Sequence, residues 1–353
     1  MRATLTIHTA AIAENWRRLA ALAEPAECAA VVKADAYGLG AALVAPALRA
    51  AGARTFFTAL AEEALALRDI LGDGPAIYCF NGATAEDARD LAAADVRPVL
   101  NSPAQVAAFR VAARDAPLTC ALQLDSGMNR LGMEADELSA LLDDPAALDG
   151  LAPDLALSHL ACADDPADLM NRAQLASFEA MTAHPRLARL RRSLAATGGA
   201  LLGPAWRFDM VRPGVGLYGG LPFREAERVV DLEAPVIQLR DVAKGEAVGY
   251  GGAWVADAPA RVATIAAGYA DGLIRAMGGR ARAFHKGRAL PVIGRVSMDL
   301  LTIDATVAPD LGPGDMVSLL GPDQGVDALA AAAGTIGYEI LTALGARYAR
   351  RCV

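Results

Sequence analysis

The chain reads as an α/β protein: a TIM-like (β/α)8 barrel followed by a mainly antiparallel C-terminal β domain. Three observations predict this. Short apolar runs alternate with amphipathic stretches through the first two-thirds of the sequence. Those runs are apolar on both faces, as parallel strands covered on both sides must be. After about residue 225 the beat gives way to strand-like segments parted by Gly, Pro and Asp turns.

A helix is expected ahead of the barrel. Ile12, Trp16, Leu19 and Ala23 share one face at helical spacing, and Thr9 can cap it. Strands are expected at 29–33, 54–60, 76–80, 96–100, 118–125, 154–160, 191–197 and 208–211. Helical-period stretches such as "AEEALALRDIL" and "AEDARDLAAAD" lie between most of them. Ser102-Pro103 supplies a cap and a first-turn proline, and Thr84 stands three residues before Asp87. A doubly wound sheet is the structural rival, but eight repeats without a Gly-rich dinucleotide turn favour the barrel. Beyond it, "DLEAPVIQLRDV", "ARVATIAAG", "ALPVIGRVSMDLLTID" and "GDMVSLLG" are strand-like, with little helix before "VDALAAAAGTIGYEILTAL". The expected division is a barrel over 8–225 and a β domain over 226–353, the latter joined by a strand at 1–7.

Composition narrows the function classes. With 353 residues, 54% hydrophobic and 21% charged, the chain has ample material for a core. A net charge of −8 argues against nucleic-acid or anionic-membrane binding. No signal peptide and no spanning segment is legible, so a cytoplasmic location is expected. The five cysteines are far apart and lack CxxC spacing, which points to reduced thiols and no metal site.

In such a barrel, chemistry gathers at the C-terminal ends of the strands. The residues at or just beyond each expected strand are Lys33, Asn81, Asn101, Asp125 with Arg130, His159, Thr197 and Arg212. Packing alone does not require that concentration of polar groups. Lys33, in "VVKADAYGLG" (31–40), ends an apolar run; partial burial there lowers an amine's pKa and frees its lone pair. "VRPGVGLYG" (211–219) places backbone N–H groups after strand eight, where barrels commonly hold a phosphate. Thr197 and Tyr37 add hydroxyls. A lysine beside a phosphate site suggests pyridoxal 5′-phosphate, an electron sink. An arginine at Arg212, facing the pyridine nitrogen, would keep it unprotonated and weaken the sink.

These stretches closely resemble the alanine racemase family, fold-type III pyridoxal-phosphate enzymes. "VVKADAYGLG", "LDSGMNRLG", "LSHLACAD", "FDMVRPGVGLYG", "VGYGGAW", "GYADG", "GRVSMD" and "IGYE" follow in family order over nearly the whole chain. The resemblance implies that Lys33 carries the cofactor and is one catalytic base. Tyr250, donated by the partner subunit of a homodimer, would be the other. Tyr37, Thr197, Gly214, Val215 and Tyr338 would hold the phosphate. Arg212 would face the pyridine nitrogen, with His159 beside it in a network that orients Tyr250. Arg130 would bind near the phenolic oxygen and the substrate carboxylate, which the Met298 backbone N–H would also fix. Tyr269 and Asp299 would shape the entrance from the other chain.

The chain departs from the family at two points. Many relatives carry a carbamylated lysine where this sequence has Gln123, so the anion that steadies Arg130 is missing. The Gln123 amide oxygen, or a bound chloride near Gln123 and Arg130, is expected to take over. Ala196 replaces a common asparagine. The implied reaction is interconversion of L- and D-alanine, which needs one base on each face of the substrate carbon. A phenol becomes a usable base only beside cationic groups, and Arg212 acting through His159 is the expected source. Three rivals remain: a racemase of serine or a broader set of amino acids, a decarboxylase of the same fold type, and a pyridoxal-phosphate carrier. Arg212 speaks against the decarboxylase, which would place a carboxylate there. The C-terminal domain with Tyr250 speaks against the carrier.

Overall fold

The computed structural model describes residues 2–113 and 116–353. The first domain is the expected closed barrel. Its strands are Ala30–Val31, Thr55–Thr58, Ala76–Cys79, Val96–Leu100, Leu118–Gln123, Leu151–Leu157 and Arg191–Ser193, paired in parallel in chain order. The eighth, Met210–Val211, pairs in parallel with Glu27–Cys28, the first half of the opening strand. Backbone bonds seal the seam: Ala29 N–H donates to Val211 O at 2.9 Å and Arg212 N–H to Ala195 O at 2.8 Å.

Why these segments form strands is plain from their burial. Phe56, Phe57, Ile77 and Cys79 are inaccessible on both faces of the sheet, so no polar alternation is possible. Helix Thr9–Ala23 buries Ile12, Trp16, Leu19 and Ala23, as its spacing predicts. Thr9 is not its cap: it opens the helix, and its N–H and hydroxyl both donate to Val353 O. The preceding strand feeds straight into the helix, which leaves the cap position to His8. Ser102 does cap Pro103–Arg110, accepting the Gln105 N–H. Thr84 and Asp87 bond reciprocally ahead of Ala88–Ala93.

Strand ends fall short of expectation at several places. Lys33 lies past the first strand, in a turn at 33–37. The stretch expected at 191–197 is strand only over Arg191–Ser193, because Thr197 opens a short helix, Thr197–Leu201. Loops thereby take over the polar residues at the rim.

The second domain is built on an eight-stranded sheet that curls on itself. Val230–Val242, its longest strand, pairs with both Ala260–Ile265 and Met316–Leu320. Thr4–Ile7 joins this sheet, between Val230–Val242 and Ala349–Cys352. Two helices, Val326–Ala333 and Gly337–Ala343, lead back to the barrel rim. Gly38 sits where a side-chain carbon would come within 2.5 Å of Leu341 O, so only glycine lets the second helix approach. That approach carries Tyr338 to the barrel mouth.

Candidate active site

The rim holds a two-lobed cavity. One lobe, about 380 Å³, is lined by Lys33, Tyr37, His159, Thr197, Gly214, Val215 and Tyr338. The other, about 440 Å³, adds Asn81, Asn101, Gln123 and Asp125; Lys33, Arg130, His159, Arg212 and Tyr338 line both. All the residues expected at the strand ends therefore meet in one basin. A larger apolar cleft of about 580 Å³ adjoins it, sharing Asp164, Gly198 and Tyr338.

Lys33 opens a left-handed turn. Ala34, Asp35, Ala36 and Tyr37 have φ of 53°, 52°, 53° and 56°, and none is glycine. Each such residue costs about 1–2 kcal/mol. The turn is held by Ala36 N–H to Val32 O and Gly38 N–H to Ala34 O, both 2.8 Å. Two side chains add to it: Asp35 Oδ1 accepts the Ala41 N–H and Glu63 Oε1 accepts the Ala34 N–H, each at 2.7 Å. The Lys33 amine lies 5.8 Å from the centroid of the Phe80 ring. Burial pulls its pKa down, Arg130 adds to the effect, and Glu63 opposes it. An amine so placed is readied as a nucleophile and base.

The phosphate-sized end is built from tightly fitted backbone. The Tyr37 ring stacks on Tyr218 at 4.5 Å, and Tyr218 anchors its own hydroxyl on Val31 O at 2.9 Å. A side chain at Gly214 would strike the Tyr37 hydroxyl at 2.1 Å, so the glycine is what admits the phenol. Thr197 Oγ1 accepts the N–H groups of Gly214 (3.1 Å) and Gly216 (3.2 Å). The Val215 N–H has no acceptor among the described residues. Free and hydroxyl-bridged donors of this kind suit a phosphate.

Arg212 is fully buried, and no carboxylate pairs with it among the described residues. Its Nη1 donates to Ser193 O at 2.8 Å and to Ser193 Oγ at 2.5 Å, and its Nη2 to Ser158 O at 2.6 Å. Ser158 Oγ is in turn 2.7 Å from Ser126 Oγ. Nε makes no such bond among the described residues and is left for a group in the cavity. Burial lowers the Arg212 pKa to about 9. His159 is pushed to about 3, by burial first and then by Arg212, Arg130 and Lys33. It is therefore neutral at pH 7. Its backbone oxygen is pinned by Gln174 Nε2 at 2.9 Å.

Arg130 projects from a loop shaped by Asp125, whose Oδ1 accepts the Gly127 and Asn129 N–H groups. Its guanidinium has no side-chain partner among the described residues. Gln123 is buried, and its amide makes no hydrogen bond among those residues either. No cluster of His, Cys, Asp and Glu among the described residues can hold a metal.

Four expected site residues lie elsewhere. Tyr250, Tyr269 and Met298 are 70%, 42% and 54% exposed, and none lines the cavity of its own chain. Tyr269 and Met298 share one surface of the second domain: Tyr269 N–H bonds Ser297 O at 3.0 Å, and Ala270 N–H bonds Met298 O at 2.9 Å. Asp299 pairs there with Arg347 at 2.8 Å. The Met298 N–H has no acceptor among the described residues. The sequence reading missed Ser193, Ser158 and Glu63. The two serines offered one signal, a polar residue inside an apolar run; Glu63 stood out by none, lying within the helical-period stretch "AEEALALRDIL".

The donor set fits pyridoxal phosphate: a buried amine, an open arginine Nε, and a cradle that a side-chain carbon at position 214 would fill. Comparison with known proteins is in line with this. The family models described as "Alanine racemase, N-terminal domain" and "Alanine racemase, C-terminal domain" match residues 7–222 and 229–352. The chain is 53% identical to an alanine racemase of Dinoroseobacter shibae, over 99% of this chain and 97% of that one. It is 51% identical to one from Cereibacter sphaeroides at the same coverage. Among solved structures it is similar to the Bartonella henselae alanine racemase with covalently bound pyridoxal phosphate (TM-score 0.95, 38% identity, 100% of both chains). The biosynthetic alanine racemase of Pseudomonas aeruginosa gives TM-score 0.94 and 36% identity, over 100% of this chain and 99% of that one.

Proposed function

The chain belongs to the alanine racemase family, whose members are pyridoxal-phosphate-dependent isomerases, and from that premise we propose that it interconverts L- and D-alanine by a two-base mechanism. One observation supports this above the others. Lys33, Arg130 and Arg212 converge on one cavity without an ion pair among the described residues, as a site for an anionic cofactor and a carboxylate substrate requires.

When bound, the cofactor supplies an electron sink joined to the substrate nitrogen. The chain does the rest. Tyr37, Thr197, Val215, Gly214 and Tyr338 hold the phosphate, and Arg212 offers Nε to the pyridine nitrogen. Arg130 and the Met298 N–H of the partner subunit bind the substrate carboxylate. Lys33 Nζ takes or returns the α-proton on one face. The partner subunit's Tyr250, through its Oη, serves the other, and His159 orients it. A single base would tend to return the proton to the face it left.

The reading requires a homodimer, because Tyr250 cannot serve the cavity of its own chain from an exposed surface. Tyr269 and Asp299, exposed on the same domain, would line the entrance across the interface. Near Arg130 the Gln123 amide oxygen or a chloride replaces the missing anion. We divide the chain into a barrel over 8–225 and a β domain over 226–353 joined by its first strand. Location is read as cytoplasmic: no helix among the described residues can cross a membrane, and the five cysteines are unpaired.

Borohydride reduction of the loaded protein should tag Lys33 in the labelled peptide. A chiral assay over a panel of L-amino acids should favour alanine. Label on another lysine, or turnover of serine ahead of alanine, would each reject the corresponding part. A fully active monomer would reject the shared site.

A further inference from the structure

We propose that Glu63 is a positioning residue for the reaction, because it fixes the peptide that follows Lys33 and so sets where the amine stands. The proposal rests on the reading of Lys33 given above. Glu63 sits in the first turn of helix Ala61–Leu71, after the second barrel strand. Its Oε2 accepts the N–H groups of Ala59 (2.9 Å) and Leu60 (3.2 Å), the ordinary work of a capping acid. Its Oε1 reaches across to the first barrel strand's exit and accepts the Ala34 N–H at 2.7 Å. One carboxylate thus joins two neighbouring strand ends at the site.

That last bond is not needed for capping. Helix Ala135–Asp143 has the same local device, in which Glu137 accepts the Glu134 N–H at 3.2 Å. Glu137 is exposed and bonds to no other segment among the described residues. At Glu63 the extra bond falls on the first residue of the left-handed turn, directly after Lys33. A turn of four non-glycine residues at positive φ persists only where its surroundings over-determine it. Without the carboxylate, the Ala34 peptide is free to relax, and the lysine backbone with it.

The comparison of Glu63→Ala with Glu137→Ala tests this in the cofactor-loaded protein, since both variants lose a helix cap and only one touches the turn. In Glu63→Ala, kcat should fall about 100-fold, the cost of a small misplacement of a reacting group, with KM little changed. Backbone hydrogen exchange over 34–38, followed by mass spectrometry, should rise in the same variant. Glu63→Gln should recover part of both, because its amide oxygen still accepts one N–H. Glu137→Ala should leave kcat and the 34–38 exchange as they were. If Glu63→Ala does not fold, Glu63→Asp keeps the charge but is too short to span both strand ends, and should open 34–38 in the same way. A Glu63→Ala or Glu63→Asp protein that matches Glu137→Ala in both readouts overturns the proposal. Borohydride tagging of the parent protein runs alongside: a tag on Lys33 with no Glu63 effect sinks Glu63 alone, and no tag on Lys33 sinks the reading beneath it.

Discussion

The two ends of the barrel use the same kinds of residue to opposite ends. At the N-terminal end of the strands, Asp154 accepts the Tyr78 hydroxyl at 2.7 Å and pairs with Arg97 at 2.9 Å. Arg191 pairs with Glu27 at 2.6 Å and reaches the Tyr78 hydroxyl at 3.2 Å, and Thr55 donates to Glu27 at 2.5 Å. Asp154, Arg97, Arg191 and Glu27 each have a counterpart there. At the C-terminal end, Lys33, Arg130 and Arg212 have none among the described residues. A closed network stabilises, whereas an open set of like charges costs stability until a ligand arrives. The fold is plugged at one end and left wanting an anion at the other.

The widest break in that comparison is Lys33→Ala. Racemisation and the cofactor's visible imine band should both vanish, while the urea midpoint of the cofactor-free chain stays or rises, since an unpaired amine has left the rim. Tyr250→Phe comes next. It should lower turnover by about 10²–10⁴-fold with little change in stability, because only a hydroxyl is lost from a residue exposed in its own chain. With α-deuterated substrates the loss should be greater from the L-enantiomer, and equal loss from both hands would count against the assignment.

Asp154→Asn should do the reverse. It strips the lower network of the anion shared by Arg97 and Arg191, at a cost of about 2 kcal/mol, between the values for exposed and buried pairs. Alanine turnover at 25 °C should be unaffected; a matching drop in activity would mean the two ends are coupled. The smallest effect concerns His159, held neutral down to about pH 3. An unfolded imidazole takes its proton near about 6.5. Between those values the unfolded chain binds the proton and the native chain does not, so stability falls as pH drops through that window. His159→Gln in the cofactor-free chain should reduce the acid slope by up to about 1.4 kcal/mol per pH unit. An unchanged slope between pH 7 and 5 would show the imidazole to be protonated in the fold.

Much of the site was legible because parallel strands end in a predictable place. Lys33, Asn101, His159 and Arg212 each follow an apolar run, and the runs had to be strands to bury both faces. The left-handed turn was not legible. Ala34, Asp35 and Ala36 carry no glycine to announce positive φ, and their conformation is imposed by Glu63, Val32 and the approach of helix Gly337–Ala343. Ser193 and Ser158 gave only the weak signal of a polar residue inside an apolar run, and such a serine looks like a tolerated core residue until Arg212 is seen resting on it.

By itself, the order of apolar runs and turns determined a barrel followed by a β domain, and it marked which polar residues stand at strand exits. That information is local, carried by burial period and by glycine and proline. Only the tertiary structure decided which of those residues share a cavity and which charges go unanswered. It also turned Tyr250 outward, away from the lysine of its own chain. Partners and orientation depend on contacts between segments distant in sequence, such as Arg212 with Ser158, 54 residues apart, and His159 with the rim cations, and no local pattern encodes them.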